Sequence, residues 1–370
     1  MKIKISGYQM VTMLFLCRMF STLTYSPGGK QVEGIVILAA DLTALILALI
    51  LSVPLLLLMR KLPDHNFLQM CDGVSKVFGN LVRGYFLILM WMVAVNTCTH
   101  FTNFMTNAVF IHASRFLIMV TFTAACAYGV YQGLEGIARA TSLILILFLA
   151  SVLLILVTSI PNIDWINLKP PVDSSWKEFF PIVMEGVSKT LEFVVLLVLF
   201  PQVKGSFTRI SLGYLLFGGI GFLTIGGITV LILGDYTTQQ MFPFYTIASM
   251  VESDVLQRLD ALHMIIWVLV SYVKLTVYLL TVTRILQDFL PIPQKKLGFW
   301  IATGGTLLGA IFLGTSYAAG NVIYFFIING IPTILAVGVI PILLRLFGKK
   351  QLEGISETAR TPGKKEDGGS

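Results

Sequence analysis

The sequence predicts an all-α integral membrane protein of ten transmembrane helices, built as two five-helix halves in an inverted repeat, with helices 1 and 6 broken. Three observations lead there. Hydrophobic residues make up 56% of the 370 residues and charged residues 12%, with a mean hydropathy of +0.85, whereas soluble domains carry roughly a quarter charged residues. Apolar runs of about 20 residues recur along the whole chain, each long enough to cross a hydrocarbon core of roughly 30 Å as a helix. Polar interruptions fall in the first and sixth of these runs, the opening run of each half, as in transporters whose broken helices meet at mid-membrane. An outer-membrane barrel is excluded, since its strands alternate every second residue instead of running apolar throughout.

The first run, 7–25, follows Lys2 and Lys4, contains Arg18 and lacks a small-residue cleavage site. It is a span, not a removable signal peptide. Further spans are expected over 32–59, 81–108, 115–131, 138–160, 181–201, 210–234, 261–283, 297–315 and 320–347. Residues 1–350 thus form one transmembrane domain, with a first repeat over about 7–160 and a second over about 181–347. Between spans two and three, FLQMCDGVSKVFGNLV, residues 67–82, has mixed faces and predicts a helix lying along the surface. The segments 161–180 and 235–259 predict loops or short interfacial helices. The tail 351–370 is polar, charged and glycine-containing, which predicts disorder. Cys17, Cys71, Cys98 and Cys126 stand at no metal or redox spacing and are expected as packed thiols.

Basic residues set the orientation. With the N-terminus in the cytoplasm, most of the 26 Lys and Arg fall inside, including Arg60, Lys61, Lys204, Arg209, Arg284 and the six of the C-terminal segment, and only Lys30, Arg115, Lys169, Lys177 and Arg258 fall outside. Both termini are therefore expected in the cytoplasm. The net charge of +7 follows from that topology and from contact with anionic lipid, not from nucleic-acid binding.

Ionisable side chains in a span cost at least about 2.5–3.5 kcal/mol on insertion scales, so they face a partner or a wet cavity. Arg18, Asp41, Glu185, Lys189, Glu192 and Lys274 are such residues. Spacings of four and three put Glu185, Lys189 and Glu192 on one face of a continuous helix. A self-neutralising ladder is the alternative for the first two. Glu192, deeper in the run, points to a cavity. The close of span one, RMFSTLTYSPGG from Arg18 to Gly29, carries hydroxyls and glycines that satisfy the backbone of a broken helix, with a frayed end as the alternative. Span three adds Asn96 and His100, and span eight adds Tyr272 and Lys274. Half-helix ends offer free N–H and C=O groups to a carboxylate and an ammonium. The expected ligand is a small amino acid, held by Ser21, Thr22, Thr24, Asn96, His100, Lys189, Thr190, Glu192 and Tyr272. No phosphate loop, metal cluster or activated nucleophile is present, so neither enzymatic activity nor a cofactor is expected.

Several stretches carry a family resemblance. Leu62-Pro63 leads into NFLQMCDGVSKVFG; LEFVVLLVLFPQV, from Leu191 to Val203, is a Glu-containing sixth span closing in Phe-Pro; QRLDALHMIIWVLVSYVKLTVYLL, from Gln257 to Leu280, has an Arg-Leu-Asp opening, then Trp and Lys. Pro332, Pro341 and the basic end at Arg345, Lys349 and Lys350 complete the pattern. Together they resemble the spore-germination B-subunit family, related to permeases of the amino acid–polyamine–organocation superfamily. At the start of span two this chain departs from that family's Asp-Ala-Trp, with Glu33-Gly34-Ile35 and Asp41-Leu42-Thr43 instead.

The resemblance implies an amino-acid-permease-like fold and a nutrient-sensing subunit of a spore germinant receptor in the spore inner membrane, acting beside an A-type membrane subunit and a C-type lipoprotein. The alternative is a proton- or sodium-coupled amino acid or amine permease with Glu192 or Lys274 as coupling group. Lys274 then either neutralises Glu192 or stands where a sodium ion sits in related transporters. A channel subunit is weaker, because no ring of like charges is evident.

Overall fold

The computed structural model describes residues 4–24, 32–61, 67–110, 112–169, 176–250, 259–289, 295–313 and 329–347. The predicted break after Thr24, the first part of the last predicted span and the tail lie outside them. The helices are α1 Gly7–Leu23, α2 Gly34–Lys61, α3 Phe67–Val74, α4 Lys76–Phe104, α5 Arg115–Ser159, α6 Trp176–Ser188, α7 Glu192–Leu199, α8 Phe207–Leu233, α9 Pro243–Met250, α10 Leu259–Phe289, α11 Lys295–Leu313 and α12 Ile331–Phe347. Six of them, taken with their helical extensions, are long and apolar enough to cross a membrane. Large apolar side chains such as Ile50, Leu143, Leu153, Leu216 and Phe312 stand more than half exposed on the outside, as a lipid-facing surface requires. The chain is a multi-pass membrane protein.

Local chemistry sets the helix ends and spends the polar side chains. Ser6 caps α1 with a capping box: its Oγ accepts from Gln9 N at 3.2 Å while Gln9 Oε1 accepts from Ser6 N at 2.9 Å. Within the spans the hydroxyls of Thr97, Thr102, Thr141, Ser271 and Thr281 donate to the carbonyl four residues back, which removes their cost in an apolar interior. The four cysteines are free and buried.

Spans 115–131 and 138–160 appear within α5 as two helical stretches that meet without a loop at a non-helical kink at Gly133, where φ is 84° and ψ 175°. Only glycine adopts that conformation without strain. One expectation is corrected. The predicted surface helix over 67–82 is two elements. Ser75 ends α3 and caps α4 through Val77 N at 3.2 Å, and α3 buries Phe67, Leu68, Met70 and Cys71 instead of lying free.

At the centre lie α7, every residue of which is buried, and α10, which packs against α1, α4, α5 and α11. A second apolar cluster joins α2 to α6 and α8 through Val36, Ile37, Ala40, Ala44, Val183, Val187 and Val230. Gly186 permits that crossing, since a Cβ there would stand 2.5 Å from Ala44 Cβ. Two short strands, β1 Ile5–Ser6 and β2 Val203–Lys204, pair in parallel and tie the start of α1 to the chain just beyond α7.

Candidate functional site

The sixth predicted span is broken between α6 and α7. From Lys189 to Leu191 the backbone leaves the α-helix: the N–H groups of Lys189, Thr190 and Leu191 bond carbonyls three residues back, at 3.0–3.3 Å. Carbonyls that an α-helix would consume internally are thereby released. Ser188 Oγ donates to Glu185 O at 2.6 Å. The Lys189 carbonyl accepts from Tyr214 Oη at 3.1 Å and from Arg18 Nη1 at 3.4 Å. Arg18, 1% exposed, thus serves the broken backbone and also stacks over Phe222 at 5.2 Å.

Beside the break is a cavity of about 180 Å³, room for several waters or a small organic ligand. Phe20, Ser21 and Thr24 of α1 form one wall, and Val93, Asn96, Thr97 and His100 of α4 a second. Glu185, Ser188, Lys189, Leu191 and Glu192 bring the break itself, and α10 contributes Lys274 and Tyr278. Of the residues expected from the sequence, Ser21, Thr24, Asn96, His100, Lys189, Glu192 and Lys274 gather here.

Three do not. Thr22 turns its hydroxyl to Arg18 O at 3.1 Å and lies at a smaller void beside Asp41. Thr190 donates to Val187 O at 2.7 Å. The Tyr272 hydroxyl lies against Gly129 of α5, where an added Cβ would stand 2.4 Å from it. For Thr22 and Tyr272 the helical phase carries the side chain to another face; for Thr190 the turn at the break does.

The charged groups form a connected set. Lys274 Nζ donates to Ser21 Oγ and lies 3.6 Å from Glu192 Oε1, with side-chain exposures of 6% and 2%. The other carboxylate oxygen, Oε2, is 3.1 Å from Tyr214 Oη. Lys274 also stands 5.3 Å from the Phe20 ring and 5.5 Å from the Tyr278 ring. Glu192 opens α7, so its carboxylate occupies the positive end of that half-helix. Tyr214 and Phe222 of α8, which hold this set from behind, were not singled out in the sequence, where an aromatic in an apolar span carries no signal of its own. Glu185, Lys189 and Glu192 do share the cavity wall, but the continuous helix expected to align them is interrupted at Lys189. The set offers an ammonium, a carboxylate and hydroxyls around one void, which suits a small zwitterion.

A family model described as spore germination protein matches residues 4–317. No curated protein sequence matches the chain. Among solved structures, the fold is similar to a Na⁺-coupled sialic acid symporter in a substrate-bound outward-open state, with a TM-score of 0.60 and 10% identity over 92% of this chain and 91% of that one. It is also similar to Mhp1, a nucleobase-cation-symport-1 family transporter in a closed conformation with bromovinylhydantoin bound, with a TM-score of 0.51 and 13% identity over 96% and 97%. At these identities the likeness is one of fold.

Proposed function

The chain belongs to the spore germination protein family, and on that premise we propose that it is the nutrient-sensing membrane subunit of a germinant receptor, binding a small amino acid between α1 and the α6–α7 break. The supporting observation is the break itself: unwound backbone from Lys189 to Leu191 beside a buried Lys274–Glu192 pair, both lining one cavity. The ligand carboxylate is taken by Lys189 and the hydroxyl of Ser21, and its ammonium by Glu192 and the lone pairs of the Thr24 hydroxyl, whose hydrogen goes to Phe20 O at 2.7 Å. Binding shifts the population of an occluded state only through a difference in affinity between two states, and the change passes to an A-type membrane subunit and a C-type lipoprotein.

In this proposal α5 makes two passes, one on each side of the non-helical Gly133, its 45 residues amounting to about 68 Å at 1.5 Å per residue, over twice a hydrocarbon core. Ten passes then form two inverted five-helix halves with both termini in the cytoplasm, in the spore inner membrane. A second reading, a proton- or sodium-coupled amino acid permease, is favoured by the fold shared with transporters.

The test is thermal stabilisation of the purified protein screened across the common amino acids. One of them should raise the melting temperature saturably, and Glu192→Gln should cost about 1.5–3 kcal/mol, roughly ten- to hundredfold in affinity. No stabilisation by any amino acid, or an unaltered affinity in Glu192→Gln, refutes the site. Uptake of the stabilising amino acid into proteoliposomes containing this chain alone would establish the permease instead.

A further inference from the structure

Apart from the ligand cavity, a void of about 20 Å³ lies between α1, α2, α8 and the 234–250 segment. It holds one water-sized species and no organic ligand. Its polar lining is Asp41, Thr22, Thr229 and Thr237. Asp41 is 1% exposed, and its Oδ1 has no hydrogen-bond partner; the buried Thr237 hydroxyl has none either. The other two hydroxyls are spent as donors, Thr22 on Arg18 O at 3.1 Å and Thr229 on Ile225 O at 2.7 Å. What these two threonines offer the void is therefore lone pairs. An ionised carboxylate gains nothing from lone pairs, whereas a cation or a carboxyl O–H is accepted by them.

The charged groups acting on Asp41 are Lys189 and Glu185 at the helix break and Arg18 of α1. From α8 and the 234–250 segment only uncharged side chains line the void. Lys189 is the shared group: it lines the ligand cavity, and its ammonium lies 4.5 Å from the centre of the Phe222 ring, which lines the Asp41 void. A carboxylate drawing Lys189 toward the ligand cavity would leave Asp41 a buried charge short of its compensation, which is costly. We propose that the void at Asp41 is a site for a single monovalent cation, a sodium ion or a proton, filled when Lys189 turns to the ligand cavity. The timing rests on the amino-acid reading above; the site itself rests on its own lining.

The experiment uses the purified full chain with no amino acid present, so failure of the ligand reading does not touch it. One arm compares melting temperatures in NaCl and choline chloride at equal ionic strength, and the other records pH-difference infrared spectra for a protonated carboxyl band. Sodium occupancy gives a saturable upward shift that Asp41→Asn abolishes. Proton occupancy gives a titrating carboxyl band that is lost in Asp41→Asn and is indifferent to sodium. A wild-type protein with neither signal, or a signal that persists in Asp41→Asn, overturns the proposal. If that variant does not fold, Thr237→Val, which keeps charge and shape, should weaken the half-saturation by sodium or move the carboxyl band; unaltered values overturn the proposal.

Discussion

Replacing Lys274 by methionine keeps much of the side-chain volume and removes the ammonium that lies 3.6 Å from Glu192 Oε1. At an effective dielectric of about 20, that attraction amounts to about 5 kcal/mol, and breaking one side of a buried pair costs about 3–5 kcal/mol because the other charge is stranded. Glu192 would keep the neutral hydroxyls of Tyr214 and Tyr278, and Ser21 would lose the donor that fills its Oγ. The expected loss is about 3 kcal/mol, more than a hundredfold in the unfolding equilibrium, read as a lowered midpoint in detergent-denaturant titration followed by Trp fluorescence. Removing both charges in Lys274→Met/Glu192→Gln should recover about 2 kcal/mol of it, a coupling that a double-mutant cycle isolates. A single variant within about 0.5 kcal/mol of wild type, or additive effects in the cycle, would refute the view that these two buried groups neutralise each other.

Tyr214→Phe removes the hydroxyl shared by Lys189 O and Glu192 Oε2 and should cost about 1.5–3 kcal/mol by the same titration, since one acceptor is charged; an unchanged midpoint would mean that the hydroxyl does not hold the break. Gly186→Ala should cost about 1–3 kcal/mol by forcing α2 and α6 apart at Ala44. Adding Ala44→Gly should restore most of it, and failure of that rescue would place the strain elsewhere.

The spans were legible because hydrocarbon demands long apolar runs, and α2, α4, α8 and α10 lie close to the stretches expected for them. Punctuation was read less well. The interval between the spans expected over 115–131 and 138–160 holds no loop but a non-helical kink at Gly133, because one glycine of positive φ redirects the chain between two helical stretches. Ser75 caps a new helix inside what read as a single amphipathic stretch. At the site, intramembrane charges are rare enough to point inward by cost alone, which is how Lys189, Glu192 and Lys274 were found. Hydroxyls carry no such cost once they bond their own helix, so Thr22 and Thr190 were misplaced. Tyr214 and Arg18 meet the Lys189 carbonyl across 25 and 171 residues of sequence, a distance over which periodicity is silent.

The pairing of Ile5 and Ser6 with Val203 and Lys204 fastens the start of α1 to the chain just beyond α7 through main-chain bonds, over the buried side chains of Ile5 and Val203. An alanine scan would read the packing of those two side chains and pass over the bonds themselves. Amide exchange would register them: those few N–H groups should stay slow while this clasp is shut and quicken when the cavity opens at that end, a readout of state that needs no knowledge of the ligand.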